Sequence, residues 1–346
     1  MAKKTNIDFY EQLEETYSDY LRTAEKDAEH KIKAIPTGSF SLDTSLGIGG
    51  IPMRKFTEIY GAESSGKTTL ALTISKNALE LGYNVLYVDA VQAIDFDRAQ
   101  AIIGDVALDN KKFVLLQPEI MESALQICED GIRSKNFGLI VLDSIAAMTP
   151  REMKREDKTL NDSFPFILAK KLTVFLQRNA YDINFYDLAF VGVNQVRDDT
   201  SNTFYKTYST PGGHQWKHLL AVRIMLSKMS DIKQSDDTIG ILSKFLIKKS
   251  KIAPPFRSFT IPMMFETGID EYRDIIEFAV SLGVIMKASS TYMFNDVNLG
   301  KGMNKAIEYL KSNKDTLDII KDLCYTIINN KSIEIKEELI EEADNG

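Results

Sequence analysis

Nine residues constrain this chain more than any others: Gly61-Ala62-Glu63-Ser64-Ser65-Gly66-Lys67-Thr68-Thr69. They fit the phosphate-loop pattern G-x-x-x-x-G-K-[ST] without a mismatch. Lys55 to Tyr60, just before, is a β-prone run. Thr69 to Leu79, just after, carries apolar residues at helical spacing. In such a strand–loop–helix unit, glycines let the backbone turn tightly and aim its N–H groups at phosphate oxygens. The helix N-terminus adds a dipole that favours anions. Lys67 would reach the β- and γ-phosphates, and Thr68 would ligate Mg²⁺. The cradle itself comprises Gly61, Glu63, Ser64, Ser65, Gly66, Lys67, Thr68 and Thr69.

A length of 346 residues suits one large or two modest domains. A net charge of -7 argues against global attraction to nucleic acid, so any such contact needs a local basic surface. Cys128 and Cys324 lack metal spacing and read as two buried thiols in a reducing compartment. No apolar run reaches membrane-spanning length, and no signal-peptide core follows Met1-Ala2-Lys3-Lys4.

Residues 5–33 read as a polar helix pair or one bent helix, with Phe9, Leu13, Tyr17, Tyr20 and Leu21 on a narrow apolar face. Strands are expected at Asn84–Val88, Phe113–Leu116, Phe137–Leu142, Leu188–Val193, Ala221–Leu226, Leu242–Ile247 and Arg257–Met263. Helices are expected near 67–81, 94–104, 121–135 and 164–181. Continuously apolar runs such as Leu139-Ile140-Val141-Leu142 indicate a sheet covered on both faces. Alternating strand and helix makes it mostly parallel, with antiparallel strands late in the chain. Two polar intervals, Arg151–Ser163 and Arg197–Thr210, lack patterning and follow core strands, where α/β sheets bind ligands. Residues 270–331 read as a small C-terminal domain with helices at Glu271–Leu282, Lys305–Lys311 and Asp315–Asn329 and a strand at Thr291–Phe294. An acidic, partly disordered tail covers 332–346.

Asp143 ends the apolar strand before Ser144, where it would hold Mg²⁺ together with Thr68; capping the following helix explains an acid there nearly as well. Four segments in order, from the phosphate loop through Leu142–Pro150 and Asn194-Gln195-Val196-Arg197 to Lys249–Phe256, resemble the RecA family of strand-exchange ATPases. So does Pro36–Asp43 upstream. The similarity runs from about Ile35 to about Asn313.

This resemblance implies an α/β fold: a RecA-like ATPase core over 35–269 with a mostly parallel central sheet, a helical oligomerisation segment over 1–34 and a small α+β C-terminal domain. It implies ATP and Mg²⁺, single- and double-stranded DNA, and a homo-oligomeric filament that single-strand-binding and loader proteins would serve. Gln195 matches the γ-phosphate sensor, although a strand-end residue satisfying backbone groups would look the same. Lys249 and Lys251 match two lysines reaching the neighbour's γ-phosphate, where a bare basic strand end is the plain alternative. Asp95 matches an adenine contact, and Arg98 stands where a stacking tyrosine is usual. The first DNA loop would use Lys154, Arg155 and Lys158. The second would run from Arg197 to the paired Gly212 and Gly213, with Phe204 near the bases.

The chain departs from the family at Val91, which stands where a glutamate orients the attacking water. Losing such a base costs roughly 10²–10⁴ in rate. Gln92 could take over only if the extended segment bends, since neighbours in a strand point opposite ways; Glu63 is a weaker substitute. The leading expectation is therefore an ATP-dependent recombinase with slowed hydrolysis. A non-hydrolysing DNA-binding or regulatory filament protein is the alternative, and a hexameric helicase motor a more distant one. A cytoplasmic protein is expected, in a host's cytoplasm if so divergent a member is phage-encoded.

Overall fold

The computed structural model describes residues 2–17, 32–154, 165–199 and 207–344. A helix, Ala2–Tyr17, belongs to a first unit ending at Lys33; a second unit runs from Ala34 onward. On that helix Phe9 and Tyr17 are exposed. The remainder of the expected N-terminal helix pair, 18–31, lies outside the described residues.

The second unit is built on a nine-stranded sheet. Its order from edge to edge is Gly268–Ile269, Ser258–Met264, Asp237–Ser250, Val222–Gln234, Lys55–Gly61, Ala189–Gln195, Leu139–Asp143, Val85–Asp89 and Phe113–Leu116. The strands from Val222–Gln234 to Phe113–Leu116 pair in parallel. Beyond Val222–Gln234 the pairing turns antiparallel, as the shortage of intervening helix implies.

Side chains alternate between the sheet's two faces, as the two-residue period of a strand requires. Val85, Tyr87, Leu139 and Val141 join one core with Leu70, Leu72 and Ile74 of the helix Lys67–Glu80 and Ile102 of the helix Phe96–Ile103. Leu86, Val88, Ile140 and Leu142 join the other, with Leu125 and Ile132 of the helix Met121–Ser134 and Leu172 and Leu176 of the helix Pro165–Phe185. Covering both faces explains why these strands read as unbroken apolar runs.

The C-terminal part has its own core around Ile275, Phe278, Tyr292, Leu310 and Ile320. Helices Glu271–Ser281, Met303–Ser312 and Lys314–Asp344 accompany a three-stranded antiparallel sheet, Met286–Ala288, Thr291–Phe294 and Val297–Lys301. Its anchor on the core is polar as well as apolar. Phe278 stacks edge-on against Phe259 at 4.7 Å. Buried Asp274 accepts hydrogen bonds from Ser39 Oγ (3.0 Å), Ser41 N (2.9 Å) and Ser41 Oγ (2.6 Å). Burial pushes the Asp274 carboxyl up to about 7.

Three expectations change. The strands placed at Ala221–Leu226 and Leu242–Ile247 are one long hairpin, Val222–Gln234 and Asp237–Ser250, turning at Ser235 with φ 55°. Its outer half is polar, so no apolar pattern marks it. The unpatterned second loop contains a short ladder, Arg197–Asp199 against Thr207–Ser209. The acidic tail, expected to be partly disordered, continues the helix Lys314–Asp344, and its five Glu residues are good helix formers. Cys128 and Cys324 are buried free thiols, each on a helix. Among the described residues no helix is long and apolar enough to cross a membrane.

Candidate nucleotide site

Four parallel strands end on one edge of the sheet, at Gly61, Asp89, Asp143 and Gln195. Gly61 is the register partner of Gln195, and Asp89 of Asp143. The phosphate loop leaves this edge and enters the helix Lys67–Glu80 through Gly66, whose φ of 91° is left-handed. A Cβ at Gly66 would collide with Met263 Sδ, so a side chain there would strain the turn and displace its neighbour. Ser65 Oγ and Lys67 Nζ both donate to the Ala62 carbonyl oxygen, at 2.8 and 2.6 Å. The loop is braced from outside by Ser243 Oγ, which donates to the Ser65 carbonyl at 2.9 Å. Burial lowers the Lys67 ammonium below its usual range, opposed by the nearby Asp143 and Glu63 carboxylates.

Asp143 Oδ2 accepts from Thr68 Oγ1 at 2.8 Å and from Tyr87 Oη at 2.9 Å. Its carboxyl is pushed upward by burial, while these two donors pull it back. A hydroxyl and a buried carboxylate held in contact beside the phosphate loop would fit a divalent cation. Thr68 and Asp143 would hold that ion, directly or through its water, and it would neutralise charge on the phosphate oxygens.

Asp89 organises the next loop. Its Oδ1 accepts from Val91 N (3.1 Å) and Gln92 N (3.0 Å), and its Oδ2 from Ile94 N (3.0 Å) and Gln117 Nε2 (3.0 Å). The bend that Gln92 would need does exist, with φ 58° at Gln92. It turns Val91 rather than Gln92 to the wall of a cavity of about 550 Å³.

That cavity brings together Glu63, Ser64, Ser65, Gly66, Lys67, Thr68, Thr69, Arg98, Asp143 and Gln195 from the expected set. Gly61 and Asp95 do not line it. Asp95 instead caps the helix Phe96–Ile103, its Oδ1 accepting from Arg98 N at 2.8 Å. The wall also contains Lys228, Ile241 and Phe265, which sequence reasoning missed. They come from the long hairpin and the end of the strand Ser258–Met264, and no local signal ties them to the phosphate loop.

Lys249 and Lys251 do not line the cavity of their own chain. Lys249 Nζ donates to the carbonyls of Lys217 and His218, each at 2.8 Å, and Lys251 Nζ to that of His218 at 3.2 Å. Those carbonyls lie at the C-terminal end of the helix Gly213–Leu219, where positive charge is favoured. Burial and the neighbouring Lys251 and Arg223 charges lower the Lys249 ammonium.

Of the expected DNA contacts, Gly212 (φ 112°) and Gly213 (φ 77°) open that helix. Lys154 ends a short 3-10 turn and Arg197 begins a short strand; their side chains lie outside the described residues. So do Arg155, Lys158 and Phe204 altogether.

A mostly parallel sheet with a phosphate cradle, a hydroxyl–carboxylate pair and a strand-end glutamine on one edge defines a P-loop nucleotide-binding ATPase core. Comparison with known proteins narrows this. The RecA N-terminal domain family matches residues 10–270, and the RecA C-terminal domain family matches residues 273–326. The chain is 36% identical over 293 residues to Protein RecA of Fusobacterium nucleatum subsp. nucleatum, covering 84% of this chain and 76% of that one. It is 32% identical over 327 residues to Protein RecA of Bacillus velezensis, covering 94% and 92% respectively. A crystal structure of the RadB recombinase superposes with a TM-score of 0.51 at 21% identity, over 68% of this chain and 99% of that one, a likeness of fold. The chain belongs to the RecA family of recombinases, DNA-dependent ATPases that use ATP with a divalent metal.

Proposed function

We propose that this recombinase polymerises on single-stranded DNA, binds ATP and Mg²⁺ between adjacent subunits, and pairs the coated strand with homologous duplex while turning ATP over slowly. The observation that carries the slow turnover is the cavity wall at Val91, 44% exposed and without a carboxylate. Among the described residues that line the cavity, the other acids are Glu63, Asp89 and Asp143, and none replaces it well. Both oxygens of Asp89 are engaged by the loop it organises, and Asp143 is engaged by Thr68 and Tyr87. Glu63 is exposed on the phosphate loop itself.

In this reading the Gly66 turn and helix N-terminus bind phosphate, Lys67 balances its charge, and Gln195 contacts the γ-phosphate from the neighbouring strand. Lys249 and Lys251, absent from their own cavity, complete the site of the next subunit and stabilise charge that builds on the phosphoryl oxygens. The basic and apolar residues of 151–163 and 197–213 grip the DNA, mainly through phosphate, so binding weakens with salt. Such a protein works in a cytoplasm, the host's if the chain is phage-encoded.

Electron microscopy with single-stranded DNA tests this directly. Long filaments with ATP and with a non-hydrolysable analogue, but not with ADP, are expected. A chain that stays monomeric with nucleotide, magnesium and DNA together contradicts the proposal. Val91 also favours a second reading, a filament that stays on DNA and regulates an active partner. Strand exchange by the purified chain alone argues for the first reading, and its absence for the second.

A further inference from the structure

We propose that Glu58 and Trp216 form a positioning latch that couples occupancy of the nucleotide cavity to the loop ending at Gly213; this rests on the reading that the cavity takes ATP and the loop takes DNA. Glu58 is fully buried on the strand Lys55–Gly61. It does not line the cavity, yet one carboxylate holds three elements. Glu58 Oε1 accepts from Asn194 Nδ2 at 2.9 Å and from Trp216 Nε1 at 2.8 Å. Glu58 Oε2 accepts from Arg223 Nε at 2.6 Å.

Each partner reaches further. Asn194 Oδ1 accepts from the backbone N–H of Gln195 at 3.0 Å, and Asn194 Nδ2 also donates to the Pro211 carbonyl at 2.9 Å. Arg223 Nη2 donates to Thr210 Oγ1 at 3.0 Å, and its guanidinium lies over the Tyr60 ring at 4.7 Å. Trp216 is the middle of the helix Gly213–Leu219, whose last carbonyls hold Lys249 and Lys251.

A plain core role accounts for part of this, since a buried carboxylate must be hydrogen-bonded. It does not account for the choice of partners. A buried ion pair is weak evidence for stability and is often replaceable by apolar residues. Here Asn194 adjoins the cavity-lining Gln195, Trp216 lies on the helix that follows the loop, and Arg223 reaches the end of that loop at Thr210. A shift of Gln195 therefore reaches Pro211 and Glu58 through one amide, and Glu58 passes it to the helix through the indole N–H.

Trp216 is the single tryptophan of the chain, so its emission reports the latch. The test compares the parent, Glu58→Gln and Trp216→Phe, all full length. Three quantities are read: binding of a fluorescent non-hydrolysable ATP analogue, single-stranded DNA affinity with analogue against ADP, and thermal stability. Trp216 emission of the parent and of Glu58→Gln is followed during the analogue titration. The parent is expected to change its emission on binding and to prefer DNA with analogue by the roughly 5–150-fold typical of coupled sites. Glu58→Gln should bind analogue as the parent does, without the emission change and with that preference collapsing toward unity. Trp216→Phe keeps the Glu58–Arg223 pair and should lose the preference too, so it decides the matter if Glu58→Gln fails to fold. A parental preference retained in Trp216→Phe, or in a folded Glu58→Gln, overturns the latch, even if melting falls. A parent with no nucleotide-dependent preference overturns instead the underlying reading, and the latch with it.

Discussion

Replacing Val91 by glutamate should speed ATP hydrolysis, and the structure indicates by how much. Val91 is 44% exposed at the cavity wall. Its backbone N–H is fixed by Asp89 Oδ1 at 3.1 Å, so the exchange leaves the loop's hydrogen bonds intact. A positioned general base is worth about 10²–10⁴ in rate, or about 3–5 kcal/mol of barrier at roughly 1.4 kcal/mol per decade. Asp89 and Asp143 line the same cavity, and neighbouring carboxylates raise the pKa of an added one, reducing its ionised fraction. The gain should therefore fall near the lower end, about 10²-fold in kcat with little change in KM. Steady-state phosphate release with saturating ATP and single-stranded DNA measures it, with Gln92→Ala as a companion expected to leave turnover unchanged. An unaltered kcat for Val91→Glu in filaments of normal length refutes the reasoning, as does a large loss for Gln92→Ala.

Gly66→Ala should abolish nucleotide binding and lower the melting temperature. The φ of 91° costs a non-glycine residue about 1–2 kcal/mol, and contact with Met263 adds to that; calorimetry with and without nucleotide reads both effects. Mixing Lys67→Ala subunits with subunits carrying Lys249→Ala and Lys251→Ala should restore ATPase that neither has alone, because one supplies the lysines and the other the cradle; no recovery in mixed filaments argues against a shared site. Stability should depend on Asp274, whose folded-state pKa of about 7 lies above its ordinary value of 3.8. The folded state binds the extra proton, so this contribution is complete below about pH 4 and is lost as pH rises through 7. Chemical denaturation across that window should show the decline in the parent and a flatter profile in Asp274→Asn.

What could be read from the chain follows from how local each signal is. The phosphate loop was legible because its glycines, lysine and threonine lie within one turn of backbone. The strands Val85–Asp89 and Leu139–Asp143 were legible because burial on two faces leaves unbroken apolar runs. The outer half of the hairpin Val222–Ser250 was not, since its exposed residues carry no period. Lys228, Ile241 and Phe265 reach the cavity only through sheet register, which no window of sequence records. Glu58 was equally silent: one acid in a β-prone run looks solvent-facing until Asn194, Trp216 and Arg223 are brought onto it. Val91 was informative for the opposite reason, because the resemblance specified what should stand there.

The two native thiols have a practical consequence. Cys128 and Cys324 are fully enclosed, with burial raising the first and pushing the second up to about 12, so neither forms thiolate readily at neutral pH. A cysteine introduced at an exposed position such as Leu81 would then be the one group that a maleimide dye attacks. Assembly on a DNA strand could be watched by energy transfer between labelled subunits, with the natural sulfhydryls left in place.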